Sequence, residues 1–404
     1  MSAGAETGGI QRRIAAYLLA AAVLGLACSI QPLYSGNQDG YFLHGLAQGG
    51  YGFLSDDWRA NATDPFPAIS KLVELVYASG HPKLFYLFQF IFCGIYAVSL
   101  IGIAVEVFRI RRGIFEYAVL FATLVVVDSY ALGYFSQTRF GFDVRSYVPD
   151  TMPGDYFQPS TFGSVLFLSI YLFIKRHRAA AILCLGIVVN FHPVYMLGAG
   201  SLALSYMVVA FREEKTLKQP LLLGAMFFVV ALPELIYYAT QVGPTSAEHF
   251  ARAADIMSER SRHLYPQAWM HSPAFLLRFV VMLLAVYFAR GTPLLPIILV
   301  PLSIGLALVG AQLLTDSDKL RTLYSYRMFV LVGPVATACV IGWMAARFFQ
   351  FRLVRNRSAR KVLGGLAVTG TLLLAAFGAN ATRWWFERKA ESSLAPTGCV
   401  PTRT

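Results

Sequence analysis

The stretch "GNQDGYFLHGLAQGGYGFLSDDW", residues 36–58, gathers three aspartates, one histidine and five aromatic residues directly after the first apolar run of the chain. Asp39 lies just past that run, where a membrane–water boundary is expected, and a carboxylate there suits a general base that takes the proton of an attacking hydroxyl. The alternative is a helix cap, because aspartate is a favoured N-cap and a short helix is expected from Gly40. Asp56 and Asp57 offer the hard oxygen ligands that a divalent cation prefers, although adjacent acids are equally at home on a solvated loop. His44 is a further proton acceptor in the same stretch.

Other residues with chemical potential lie farther along. Arg327 in "LYSYRMFVLVGP" opens an apolar helix, so its guanidinium could grip a phosphate bidentately or simply snorkel to headgroups. His263 in "SERSRHLYPQAW", with Arg260 and Arg262 beside it, makes a cationic and aromatic patch for a diphosphate or a sugar, or else a solvated loop. His192 in "NFHPVYM" sits beside a proline at membrane depth. Its polar atoms need a partner, Asn190 or a carbonyl in a structural role, or a substrate in a catalytic one. Asp128 and Glu234 fall inside apolar segments, where an acid is costly unless it faces a polar cavity. With Asp143, Asp150 and Asp155 they could line a sugar pocket, or the acids could pair with Arg139 and Arg145. Trp58, Trp269, Trp384 and Trp385 are expected in the aromatic belt at the membrane interface.

The elements that must position these groups are membrane helices. Of 404 residues, 56% are hydrophobic and only 14% charged, and the mean hydropathy is +0.56; a soluble chain could not cover that much apolar surface. The net charge of +12 falls largely in short connectors, as the positive-inside rule expects, which argues against nucleic acid as a partner. The five cysteines are scattered without a CxxC, so neither a disulfide framework nor a zinc site is expected. "RRIAAYLLAAAVLGLACS" has the flavour of a cleaved signal, but the apolar run from Ile14 to about Leu33 reaches the ~20 residues of a span and reads as a retained helix.

Apolar runs and basic connectors together predict an all-α polytopic membrane protein of about eleven transmembrane helices, one domain over residues 1–404, with a cytoplasmic N-terminus. Residues 35–83 form a first external loop, 242–271 a second, and 381–404 an external tail. "FPAISKLVELVYAS" (66–79) has helical spacing with one apolar face and should lie in the interface. Residues 179–211 read as two short helices broken around His192 and Pro193, since displaced backbone polar groups are tolerated at membrane depth only where protein or water satisfies them. No sequence repeat supports an inverted-repeat transporter.

A cytoplasmic N-terminus, a first helix delivering the acid of "NQDGY", interfacial helices in the first external loop and a total near eleven spans resemble the GT-C superfamily of integral membrane glycosyltransferases. The start "NQDGYFLHGLA" is also similar to that of bacterial multi-pass membrane proteins. The GT-C resemblance implies a polyprenyl-phosphate-linked sugar as donor, a glycan or lipid as acceptor, inversion at the anomeric carbon, and an acidic base in the first loop, carried to Asp39 with Asp56 or Asp57 in reserve. The substrate-binding residues expected from the reading above are Arg327, His263, Arg262, His192, Asp57, His44 and Glu234. The chemistry requires no cofactor; a divalent cation on Asp56 and Asp57 is the one addition considered. Two other functions remain open: a transporter or flippase of a lipid-linked or polar solute, favoured by the broken helix and intramembrane acids, and a polysaccharide polymerase, ligase or acyltransferase using His44, His192 or His263. The expected setting is a bacterial inner membrane with the active face periplasmic.

Overall fold

The computed structural model describes residues 3–145, 152–242, 246–351, 354 and 356–394, apart from the side chains of 3–13, 258, 260, 262 and 391–394. Every regular element among them is helical. In chain order the helices are α1 (Ala3–Cys28), α2 (Gln38–Tyr41), α3 (Leu43–Gln48), α4 (Pro67–Ala78), α5 (Leu84–Val107), α6 (Ile114–Asp128) and α7 (Tyr130–Phe140). There follow α8 (Gly163–Ile174), α9 (Arg178–Phe191), α10 (Met196–Glu214), α11 (Lys218–Tyr237), α12 (Ala247–Arg260) and α13 (Pro273–Phe288). The chain closes with α14 (Leu294–Thr315), α15 (Asp318–Arg321), α16 (Arg327–Phe348) and α17 (Arg357–Leu394).

Six of these helices are long and apolar enough to cross a bilayer, or seven if the bent pair α6 and α7 counts as one span. Shorter apolar helices occupy Ile14–Cys28, Pro159–Ile174, Arg178–Phe191 and Pro273–Phe288. The protein is a polytopic helical membrane protein, as its composition demands. α16 runs through the middle, with 78% of its apolar window buried, against 17% for α11 and for α17. The two outer helices therefore turn most of their apolar surface outward, as lipid contact requires. α1 packs on α5 and α17, α5 on α8 and α16, α9 on α8 and α11, and α10 on α11 and α14.

Several boundaries differ from the sequence reading, each for a local reason. α1 stops at Cys28 and not near Leu33, because Ser29 takes a φ of 69°. The single helix expected over 115–136 is broken at Ser129, whose extended backbone and side-chain cap on the Leu132 N–H start a new helix bent by 43°. The expected tail is helical through Leu394, since residues 381–394 carry neither glycine nor proline and Arg383 pairs with Glu387 one turn on at 2.7 Å. Residues 179–211 do form two helices, interrupted at His192.

The first loop has a core of its own. Phe42, Leu46, Ile69, Val73, Val76 and Phe85 pack with Phe157 and Phe162, so the apolar face predicted for 66–79 is the face that α4 buries. α3 crosses α4 at Gly45, where a Cβ would lie 2.3 Å from the Ser70 carbonyl oxygen. Glutamine side chains of this loop and of the segments flanking it hold residues 152–158. Gln31 Nε2 donates to Asp155 Oδ2 at 3.2 Å, Gln38 Nε2 donates to the Phe157 carbonyl at 2.8 Å, and Gln89 donates to the Gly154 carbonyl. Gln38 Oε1 also accepts the N–H groups of Tyr34 and Ser35.

Candidate functional site

The break between α9 and α10 is where the loops and the helices meet. Pro193 cannot donate a backbone hydrogen bond, so α9 ends at His192 and a single 3-10 turn, Pro193–Tyr195, leads into α10. His192 is only 1% exposed, and neither ring nitrogen has a hydrogen-bond partner among the described residues. Asn190 does not serve it, because its amide nitrogen donates to the Gly186 and Val230 carbonyls at 2.8 and 2.9 Å. Aromatic rings surround the imidazole instead: Tyr195 at 5.0 Å, Phe66 at 5.4 Å and Tyr41 at 6.4 Å between centroids. Two of those three rings come from the first loop.

Arg327, the first residue of α16, places its guanidinium carbon 5.6 Å from the Tyr195 ring centre and 5.1 Å from that of Tyr326. A guanidinium held against aromatic faces keeps its charge and its planar fork while losing freedom, which suits it to an anionic oxygen pair. The His263 ring meets Tyr326 at 5.1 Å, and the His263 carbonyl accepts the Trp269 indole N–H at 3.0 Å. On the other side, Tyr237 and Tyr238 donate their hydroxyls to the Asp64 and Pro65 carbonyls at 2.6 and 3.2 Å, docking the first loop onto the end of α11. Glu234, one turn earlier, is buried with Oε1 unpartnered and lies in the field of Asp64. His192, Arg327, His263 and Glu234 thus converge on one junction, joined by aromatic residues and by segment 64–66.

The aspartates that drew attention in the sequence lie elsewhere on the loop. Asp39 is exposed and sits inside the α2 turn, whose N-cap is Asn37, so the capping role does not hold. The buried member of "NQDGY" is Gln38, at 0% exposure. Asp57 Oδ1 accepts the N–H groups of Arg59 and Ala60 at 2.7 and 3.3 Å, closing a turn, and Asp56 is exposed. No group of three or more histidine, cysteine, aspartate or glutamate side chains is placed to hold a metal among the described residues. His44 is buried in α3. The side chains of Arg260 and Arg262, and Asp150 altogether, lie outside the described residues.

A second polar cluster gathers around residues 143–145 and Asp155. Arg145 forms a two-pronged pair with Asp143, Nε to Oδ1 at 3.1 Å and Nη2 to Oδ2 at 2.7 Å. Arg278 Nε donates to the Val144 carbonyl at 2.8 Å, and buried Asp128 lies in the field of both guanidinium groups. Asp155 keeps some exposed surface as a residue, but its Oδ1 is sealed from solvent and without a partner. Burial pushes its carboxyl up from 3.8 to about 6, outweighing the opposing pull of Arg145 and the Gln31 hydrogen bond. Trp269 belongs to the core, in contact with Phe275 and Phe329, and not to an interfacial belt.

Tyr41, Phe66, Tyr195 and Tyr326 were not singled out from the sequence. Tyr195, three residues past His192, carried a usable signal in "HPVY"; the loop aromatics carried none that distinguished them from interfacial anchors. Comparison of the chain with protein-family models, with curated proteins and with solved structures gave no match.

Proposed function

We propose that this protein is an inverting membrane glycosyltransferase of GT-C type, moving a sugar from a polyprenyl-phosphate lipid to a glycan or lipid acceptor. The observation that carries the reading is the guanidinium of Arg327, held between Tyr195 and Tyr326 next to the buried, aromatic-walled imidazole of His192. A cation at the mouth of a membrane helix, with aromatic faces around it, suits a lipid-borne phosphate. In the proposed reaction the acceptor hydroxyl attacks the anomeric carbon and gives its proton to Asp39. The new glycosidic C–O bond forms as the bond to phosphate oxygen breaks, and the departing phosphate takes the electron pair into the grip of Arg327. Electrostatic stabilisation of that leaving group and positioning of the acceptor would supply the acceleration.

The same proposal takes the six long helices, the bent α6–α7 pair and the four shorter apolar segments as eleven crossings, with the N-terminus cytoplasmic and the His192 junction on the periplasmic side of a bacterial inner membrane. The test is turnover of labelled polyprenyl-phosphate sugars by purified protein. Arg327→Ala is expected to lower turnover by roughly a hundredfold and Asp39→Asn by a hundredfold or more, the usual range for a lost oxyanion partner and a lost general base. Full activity of Asp39→Asn removes that residue from the mechanism; absence of transfer by the wild type across donors sinks the transferase reading. The break at His192 and buried Glu234 favour transport of a polar or lipid-linked solute as the second reading. Uptake of such a solute into vesicles without covalent transfer would establish it.

A further inference from the structure

A concavity of about 590 Å³ lies between α12, the turns at 262–268 and the α14–α15 connection. Asp255, Tyr265, Gln267, Asp316, Asp318 and Arg321 line it. Its size lies within the ~300–1,000 Å³ of ordinary small-molecule sites. The walls are held in place. Arg321, whose side chain is 7% exposed, pairs through Nη1 with Asp318 Oδ1 and through Nη2 with Asp316 Oδ1, and its guanidinium carbon sits 4.3 Å from the centre of the Tyr265 ring. Asp316 itself caps α14 with a φ of 49°. Each of these two carboxylates spends one oxygen on the guanidinium and keeps the other as an acceptor.

The lining chooses among ligand classes. An inorganic cation is disfavoured because no group of three ligating side chains forms among the described residues. An apolar ligand would strand buried Arg321 and its carboxylates. Polyhydroxylated ligands fit: hydroxyls donate to the spare oxygens of Asp316 and Asp318, the Gln267 amide both donates and accepts, and Tyr265 offers a ring edge. We propose that this cavity is a binding subsite for one or two neutral sugar units. Tyr265 follows His263 by two residues, and the His263 ring touches Tyr326 beside Arg327, so one loop links the cavity to the phosphate-binding junction. Identifying the bound sugar as part of the acceptor rests on the transferase reading; the existence of the subsite does not.

The experiment is binding of cellobiose, maltose and N,N′-diacetylchitobiose to the full-length protein in lipid nanodiscs free of sugar-based detergent, followed by saturation-transfer NMR and calorimetry. At least one disaccharide is expected to bind. Ala268→Trp, at an exposed position on the rim, should weaken it more than tenfold by filling the space. Gln267→Leu, which leaves the Arg321 pairs intact, should weaken it roughly fivefold, the worth of one net hydrogen bond. Binding by none of the three, or equal binding by wild type and Ala268→Trp, overturns the subsite. Disaccharide binding without transfer from any lipid donor keeps the subsite and rejects the transferase. Transfer at the wild-type rate by Ala268→Trp keeps the transferase and rejects the assignment of the bound sugar to the acceptor.

Discussion

Asp155→Asn isolates the cost of a buried charge in the segment that the glutamines hold. In the folded protein burial raises the Asp155 carboxyl from 3.8 to about 6, a shift worth about 3 kcal/mol at full ionisation. Because the folded-state value lies above the unfolded one, the stability linked to its proton is complete below about pH 3.8 and is lost as pH rises through about 6. Between pH 5 and pH 8 the wild type should therefore lose about 1.4 kcal/mol from this group alone. Asparagine keeps the shape and the hydrogen bond from Gln31 without the charge, and Arg145 retains its two-pronged pair with Asp143. The variant should be more stable than wild type by up to about 3 kcal/mol at pH 8 and by about half of that at pH 5. Denaturant unfolding of both proteins in one detergent, at both pH values, reads the difference and cancels the histidines that titrate in the same window. Equal pH slopes for the two proteins, or a variant that is less stable at pH 8, would refute the assignment of a buried ionisable carboxyl here.

Gln38→Ala removes the acceptor for two N–H groups and the donor for the Phe157 carbonyl. A loss of roughly 3 kcal/mol is expected, read as earlier unfolding and faster proteolysis of the first loop. Gly378 lets α17 touch α1, since a Cβ there would lie 1.9 Å from the Leu26 carbonyl oxygen, whereas Gly365 faces open space. Gly378→Val should destabilise by about 1–3 kcal/mol and Gly365→Val by far less; equal melting points would contradict the close crossing. Arg360 donates to buried Glu116 at 2.8 Å, joining α17 to α6. Arg360→Ala, which strands the buried carboxylate, should cost about 3–5 kcal/mol, more than Glu116→Gln, and the reverse order in a melt would rule out a buried charge at Glu116.

Much of the fold could be read from the sequence because membrane depth leaves a long, composition-level trace. α5 lies at 84–107, as its apolar run predicts, and α4 buries the face that its spacing marked. Apolarity reports depth and not conformation, however. Leu33 is as greasy as the helix before it, yet α1 has already ended at Ser29; only the backbone twist says so. The 115–136 run is likewise apolar across Ser129, where the chain bends. Charge is a partial guide in a different way. The aspartates of 36–58 stood out against an apolar background, but the residues that fix the loop are Gln31, Gln38 and Gln89, neutral amides whose partners lie 65 to 124 positions away. Neither charge nor periodicity marks such residues in a single sequence.

The junction itself followed from a rule that sequence can carry. A proline at membrane depth frees a carbonyl, and "HPVY" places a histidine and a tyrosine at the opening. Such a break survives only where protein closes over it. Here the closure comes from Tyr41 and Phe66 of a loop more than a hundred residues earlier, and that loop is fastened by Tyr237 and Tyr238 at the end of α11. The aromatic residues of the first loop outside its own core therefore serve different ends. Tyr41 and Phe66 wall the imidazole, while Phe53 and Trp58 are largely exposed, free to meet lipid headgroups. The sequence located the break, and the partner of the break was a matter of packing between distant segments. The loop thus reaches the cationic junction through its rings, Tyr41 and Phe66, and not through its charges.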